Sequence, residues 1–257
     1  MPLKIGLFGF GRTGSVVAKE IALDPALSLE WICRKTPTLG NPFASHALGY
    51  STDFAPFVPS ALLDDSFLKS HPVDLVIDFS SASTSAIYAM LAKNGIKLVS
   101  AISNYGQDEL NLLKSASQNT AVLYSPNITL GINWLIMASK VLRKIIPHAD
   151  VEVIEEHFRA KKDVSGTALK LAKQLDIDPT EHVNSIRVGG IVGKHEVIFG
   201  LPHQTIRIVH ESISRAAFGT GAIFAAKWLQ DKENGLYSME NVLQETFSKE
   251  MHDVSLL

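Results

Sequence analysis

The hexapeptide Gly9-Phe10-Gly11-Arg12-Thr13-Gly14 constrains this chain more than any other stretch. It follows a mostly apolar run at residues 3–8. After it, at residues 15–23, Val16, Val17, Ile21 and Leu23 recur at helical spacing. Strand, tight turn and helix in that order give a GxGxxG pattern meaning. The first glycine permits the turn, the second lets a pyrophosphate approach the backbone, and the third lets helix and strand pack closely. The helix N-terminus adds N–H donors and a partial positive charge. Gly9, Gly11, Arg12, Thr13 and Gly14 are therefore candidate dinucleotide contacts. A glycine-rich turn in an unrelated α/β protein is the plain alternative.

The pattern around the turn extends it into a fold. Further strands are expected at 28–33, 73–79, 97–101 and 121–125, with helices at 84–94 and 107–118 between them. Residues 36–62 read as a loop with a short helix. This alternation argues for a Rossmann-type, doubly wound parallel sheet. After Asn127 the pattern changes. A helix at 131–146 precedes strand-like segments at 151–156, 185–192, 195–199 and 205–210, with a helix at 166–175. Few helices separate these strands, so a second α+β domain with a mixed sheet is expected. Helical segments at 219–229 and 239–245 close the chain. The expected division is a dinucleotide-binding domain over 1–127 and 217–257, and a substrate-binding and oligomerisation domain over 128–216.

Composition narrows the function classes. The formal net charge is -2, which gives no pull toward nucleic acid or an anionic membrane. No run of 18 apolar residues is present and the first residues lack a secretory pattern, so a cytoplasmic location without membrane association is expected. The single cysteine, Cys33, allows neither an internal disulfide nor a multi-cysteine metal site. No histidine pair has zinc-ligand spacing backed by a carboxylate or cysteine, so no metal is expected. His195 and His210, in strand-like segments, read as structural.

The end of the second strand bears on the cofactor. An acidic residue there accepts the ribose diol of NAD, whereas arginine pairs with the 2′-phosphate of NADP. This chain has Cys33-Arg34-Lys35 and no carboxylate among them. Arg34 and Lys35 thus point to NADPH in preference to NADH, unless they simply lie on a solvated loop.

The segment from Asp150 to Leu169 concentrates the chemistry. A strand ends near Glu156, and His157, Arg159, Lys161, Lys162 and Asp163 crowd the loop before Ser165-Gly166-Thr167 opens a helix. Such a loop makes an anion site, with a histidine able to act as a general acid near neutral pH. A solvated charged loop is the bland alternative.

The same segment resembles the signature of the dihydrodipicolinate reductase (4-hydroxy-tetrahydrodipicolinate reductase) family, Glu-x-His-His-x-x-Lys-x-Asp-x-Pro-Ser-Gly-Thr-Ala. The resemblance covers nearly the whole chain. Val76-Ile77-Asp78-Phe79-Ser80, Ser125-Pro126-Asn127-Ile128-Thr129-Leu130-Gly131, the stretch from Arg187 to Phe199, and His210 to Ala222 with Ser214-Arg215 and Phe218 match further family motifs in order. The resemblance implies reduction of the cyclic precursor to tetrahydrodipicolinate, in diaminopimelate and lysine biosynthesis, by a homotetramer built through the second domain's sheet. It makes His157 the proton donor and Lys161 its partner. It makes Phe158, Ser165, Gly166, Thr167 and Arg215 contacts to a dicarboxylate substrate. Phe79, Ala101, Ile102, Ser103, Ser125, Pro126, Asn127 and Ile128 become further cofactor contacts.

The chain departs from that pattern at several points. Phe158 replaces the second histidine, the proline before Ser165 is missing, and the loop is one residue shorter. The family's Gly-Thr-Thr-Gly reads Ala101-Ile102-Ser103-Asn104, and the glycine turn is one residue shorter. Two other readings stay open: another two-domain dehydrogenase of a small amino-acid precursor, and a non-catalytic dinucleotide sensor. An acylating semialdehyde dehydrogenase needs a nucleophilic cysteine in its second half, and Cys33 lies in the first.

Overall fold

A computed structural model describes residues 1–35 and 40–254. It divides into two compact units, one of Met1–Ile128 with the chain from Phe218 onward, the other of Thr129–Ala217.

The first unit begins with β1 (Leu3–Phe8), α1 (Gly14–Leu23), β2 (Leu27–Arg34), α2 (Ala44–Ala47), β3 (Phe57–Pro59), α3 (Asp65–Ser70) and β4 (Leu75–Asp78). It continues with α4 (Tyr88–Lys93), β5 (Lys97–Ser100), α5 (Gln107–Ala116) and β6 (Ala121–Tyr124). Successive strand side chains point to opposite faces, and both faces are covered. Leu75 and Ile77 join one apolar cluster and Val76 the other; Ala121 and Leu123 oppose Val122 in the same way. Burial on both faces explains the near-continuous apolar runs.

The second unit contains α6 (Leu130–Ile145), β7 (Asp150–His157), α7 (Gly166–Leu175), α8 (Pro179–His182), β8 (Val183–Arg187), β9 (Lys194–Leu201) and β10 (Gln204–Glu211). Its sheet has the order β10-β9-β7-β8, with β7 antiparallel to β9 and parallel to β8. Val151, Val153, Val197 and Phe199 pack against Ile132, Leu135 and Ile136 of α6 and Ala168, Leu171 and Leu175 of α7. The alternate residues, including Ile154, Ile186, Ile198 and Val209, lie on the other face by register. Ile186 and Val209 are exposed there.

The chain returns through α9 (Ala216–Leu229), β11 (Gly235–Tyr237) and α10 (Met239–Val254). The first unit's sheet is parallel throughout, in the order β11-β6-β5-β4-β1-β2-β3. The strand order reverses between β1 and β4, where ligands bind open α/β sheets. Lys97 fastens the returning segment. Its ammonium donates to the carbonyls of Leu229 (3.2 Å), Gln230 (2.5 Å) and Lys232 (2.9 Å) at and just beyond the end of α9.

The expected fold class, a doubly wound parallel sheet beside a mixed sheet, is the one observed. The details differ where local signals were weak. The helix expected at 84–94 opens as 3-10 turns over Ala82–Ile87. The strand expected at 185–192 runs instead over Val183–Arg187, and a turn with Gly189 at a φ of +54° follows it. The edge strands β3 and β11, three residues each, are too short to show a period. Part of the loop expected at 36–62 falls on 36–39, outside the described residues. No helix among the described residues is long and apolar enough to cross a membrane.

Candidate active site

In the first unit the glycine turn sits at the carboxyl end of β1. Gly9 has a φ of +93°, and a Cβ there would lie 2.9 Å from both Phe79 O and Ser80 Cα. That close approach seats the turn on the exit of β4, reinforced by bonds from Gly9 N to Cys33 O and from Phe79 N to Phe8 O, each 2.9 Å. A Cβ on buried Gly14 would lie 2.3 Å from Gly9 O, so α1 packs directly on the turn. Gly11 differs: no atom lies within 4 Å of its would-be Cβ. Open space before Gly11, beside the α1 N-terminus, suits a pyrophosphate. Arg12 is exposed and Thr13 half-buried in the same turn.

Half-buried Arg34 ends β2 and exposed Lys35 follows it. The Arg34 guanidinium carbon lies 5.0 Å from the centroid of Phe57, and Phe57 meets Phe10 edge-on at 4.9 Å. The end of the second strand is thus brought beside the glycine turn by aromatic contact. Cys33 is buried, and burial pushes its thiol up to about 12, which makes it inert.

Past β4, β5 and β6 lie the other expected cofactor contacts. Ser103 and Pro126 are exposed, whereas Ile102 and Ile128 are 7% and 1% exposed. Those two side chains belong to the core, which leaves their backbones to meet a ligand. Phe79, Ala101 and Asn127 are half-buried. Buried Ser125 donates to Asn127 O at 2.6 Å, closing its own turn.

Beneath these loops lies a polar cluster that sequence reasoning missed. Asp78 is fully buried and accepts bonds from Ser80 N (2.7 Å), Ser80 Oγ (2.6 Å) and Tyr88 OH (2.6 Å). Tyr105 OH lies 2.6 Å from Tyr88 OH and 2.8 Å from Ser100 Oγ. Burial pushes the Asp78 carboxyl up to about 6, against the bonds from Ser80 and Tyr88. The cluster ties the Phe79-Ser80 turn to the loop after β5.

In the second unit β7 delivers His157, 8% exposed, with its Nδ1 bonded to an oxygen of fully buried Glu155. Burial favours neutral Glu155, but bonds from Arg187, Ser185 and His157 outweigh it and hold the carboxyl down to about 2. Burial lowers His157 below its ordinary value; Glu155 opposes that shift, and Lys161 and Arg187 reinforce it. A His195 ring stands edge-on to His157 at 5.3 Å, held neutral by burial with its value down to about 4.

The loop after β7 carries exposed Phe158 and half-buried Lys161. It is closed by Lys161 N to Phe158 O at 3.0 Å. Ser165 is the N-cap of α7: its Oγ accepts from Ala168 N at 3.0 Å and lies 2.8 Å from His195 Nε2. Its hydroxyl is therefore committed inside the unit. Exposed Gly166 and half-buried Thr167 begin the helix, and a Cβ on Gly166 would meet open space. This leaves room for a carboxylate at the α7 N-terminus. Arg215 is exposed in the turn before α9. His157, Lys161, Ser165, Gly166 and Thr167 thus share one strand-loop-helix segment. Among the described residues no group of three or more His, Cys, Asp or Glu is placed to hold a metal.

Comparison with known proteins covers both units. The family described as "Dihydrodipicolinate reductase, N-terminus" matches residues 3–128, and "Dihydrodipicolinate reductase, C-terminus" matches residues 131–243. The 4-hydroxy-tetrahydrodipicolinate reductase of Nitrosomonas europaea is 31% identical over 94% of this chain and 98% of its own length. That of Sulfurimonas denitrificans is 32% identical over 94% and 99%. That of Rickettsia bellii is 39% identical over 65% and 74%. Among solved structures, a dipicolinate-bound dihydrodipicolinate reductase from Paenisporosarcina sp. TG-14 shares the fold. Its TM-score is 0.78 over 95% of this chain and 100% of its own, at 19% identity. With both halves matched and full-length relatives above 30% identity, this chain belongs to the dihydrodipicolinate reductase family.

Proposed function

We propose that this chain is an NAD(P)H-dependent oxidoreductase that reduces 4-hydroxy-tetrahydrodipicolinate to tetrahydrodipicolinate in diaminopimelate and lysine biosynthesis. The observation that carries this reading is the buried Glu155–His157 pair on β7, followed within one loop by Lys161 and the open N-terminus of α7. On this reading a proton donor, a fixed cation and a carboxylate cradle would share one segment. The dipicolinate named in the Paenisporosarcina structure is a dicarboxylate of the kind such a cradle suits.

The first unit would hold the dinucleotide at Gly9, Gly11, Arg12, Thr13 and Gly14, and the open space at Gly11 fits that group. When bound, the dinucleotide supplies hydride. Phe79, Ala101 to Ser103 and Ser125 to Ile128 would line its nicotinamide. The second unit would bind substrate carboxylate at the Gly166 and Thr167 amides, with Ser165 shaping the helix start and Phe158 and Arg215 at the rim. His157 would deliver its Nε2 proton to the carbon beside the reduced position. Lys161 would stabilise developing negative charge.

The run Cys33-Arg34-Lys35, with no carboxylate in it, favours the 2′-phosphate of NADPH, with NADH as the second cofactor. The exposed face bearing Ile186 and Val209 suits a homotetramer interface, and the reading carries a cytoplasmic location. NADPH oxidation with the condensation product of aspartate semialdehyde and pyruvate tests the activity; no turnover rejects it. His157→Ala is expected to cut kcat by about 10²–10⁴-fold with NADPH affinity unchanged, and unaltered turnover rejects its role. Arg34→Ala is expected to raise KM for NADPH far more than for NADH; an equal effect rejects the preference.

A further inference from the structure

The roles proposed for His157 and Lys161 leave unexplained a fully buried carboxylate and the arginine that reaches it. Glu155 stands two residues before His157 on the same face of β7, so its side chain runs alongside the imidazole. One carboxylate oxygen takes the His157 Nδ1 bond. The other receives Ser185 Oγ at 2.6 Å, Arg187 Nη2 at 2.5 Å and, more weakly, Ser165 N at 3.4 Å. The parallel register of β7 and β8 arranges this, pairing Glu155 with Ser185 and His157 with Arg187. Arg187 then reaches onward. Its Nη2 donates to Asp163 O at 2.9 Å and its Nε to Lys161 O at 3.0 Å.

We infer that Glu155 and Arg187 are positioning residues for the reduction: Glu155 holds His157 with Nδ1–H inward and Nε2 outward, and Arg187 ties the same carboxylate to the backbone of the loop bearing Lys161. The inference rests on the proposed roles of His157 and Lys161. An ionised carboxylate only accepts hydrogen bonds, so the His157 nitrogen facing it must carry the proton. When the imidazolium gives up its Nε2 proton, the electron pair stays on Nε2 and the Nδ1–H bond to Glu155 is unchanged. Proton delivery then needs no ring reorientation. The outward nitrogen is kept clear by Gly193, whose would-be Cβ lies 3.1 Å from His157 Nε2. Arg187 matters more because this loop is short and lacks the family's proline before Ser165. Two carbonyl bonds from one planar guanidinium add to the backbone bonds of Lys161 N to Phe158 O and Arg159 N to Gly189 O in fixing this loop.

A purely structural ion pair would hold the unit together without affecting protonation. The experiment separates the two. In the intact protein with ¹⁵N-labelled histidine, long-range ¹H–¹⁵N NMR above the His157 transition is expected to show the Nδ1–H tautomer; the Nε2–H tautomer overturns the proposal. Glu155→Gln is expected to lower kcat on the order of 10²-fold with KM for NADPH unchanged. It should also move the high-pH limb of kcat to lower pH. The charged or titratable groups facing His157 are Glu155, Arg187, Lys161 and His195, and Glu155 is the one that favours the imidazolium. A Glu155→Gln enzyme with wild-type kcat and an unmoved limb overturns the proposal. If that variant does not fold, Arg187→Lys decides with the wild-type tautomer. Lysine keeps the charge but loses the fork, so kcat is expected to fall about tenfold or more while the Nδ1–H tautomer persists. Wild-type kinetics in Arg187→Lys overturn the arginine's part. His157→Ala is assayed alongside. Full turnover there means the proton-donor reading itself has failed. Lost turnover there with none lost in Glu155→Gln overturns the positioning role alone.

Discussion

Replacing Gly14 and Gly11 separately by alanine should split folding from cofactor binding. A methyl on Gly14 would lie 2.3 Å from Gly9 O and 2.8 Å from Gly9 C, more than half an ångström inside an ordinary carbon contact of about 3.5 Å. Both obstructing atoms are backbone, so α1 must lift or the turn must open. Overpacking of this kind costs about 1–3 kcal/mol. Gly14 is the first residue of α1, so the gain of about 1 kcal/mol that alanine brings inside a helix is largely absent. The net loss of about 1–3 kcal/mol corresponds to roughly 2–12 °C in Tm for a chain of this size. Gly11→Ala meets no atom within 4 Å and should leave stability within about 0.5 kcal/mol. Its methyl would occupy the space proposed for the pyrophosphate, raising Kd for NADPH about tenfold or more, or roughly 1.4 kcal/mol. Thermal unfolding by circular dichroism without cofactor, and NADPH titration by fluorescence, read the two effects. A Gly14→Ala protein as stable as wild type would refute the packing argument. Wild-type NADPH affinity in Gly11→Ala would refute the cofactor role of the turn.

Two further outcomes follow from other residues. Lys97→Met removes three charged bonds to the carbonyls around the end of α9. It should cost about 1–2 kcal/mol, and an unchanged urea midpoint would show that the returning segment is held by apolar packing alone. Asp78, its carboxyl pushed up by burial to about 6, binds its proton more tightly folded than unfolded. Its stabilising contribution is therefore full below the unfolded value near 3.9 and is lost as pH rises through about 6. Asp78→Asn lacks this titration, so wild type should lose stability relative to the variant between pH 4 and pH 7 in denaturant melts. A pH-independent difference would contradict a buried, titrating Asp78.

Local sequence marked the longer, strongly patterned elements and the chemistry carried on single segments. Apolar runs marked β1, β4, β5 and β6 because a parallel strand buried on both faces cannot alternate. The glycine spacing marked the turn because φ of +93° at Gly9 and the backbone contact at Gly14 exclude side chains there. The run from His157 to Thr167 was legible because strand end, charged loop and helix cap are contiguous. What joins distant segments was not legible. Glu155 and Arg187 stood inside matched motifs, but spacing along the chain gave neither of them a role. Only the parallel pairing of β7 with β8 places them against each other, thirty-two residues apart. Asp78, Tyr88 and Tyr105 likewise meet only once β4 and β5 are side by side. Local propensity and spacing act within a few residues, whereas a buried charge finds its partners through strand register. That is why the sequence named the glycine turn and His157, and the tertiary structure alone decided what holds His157 in place.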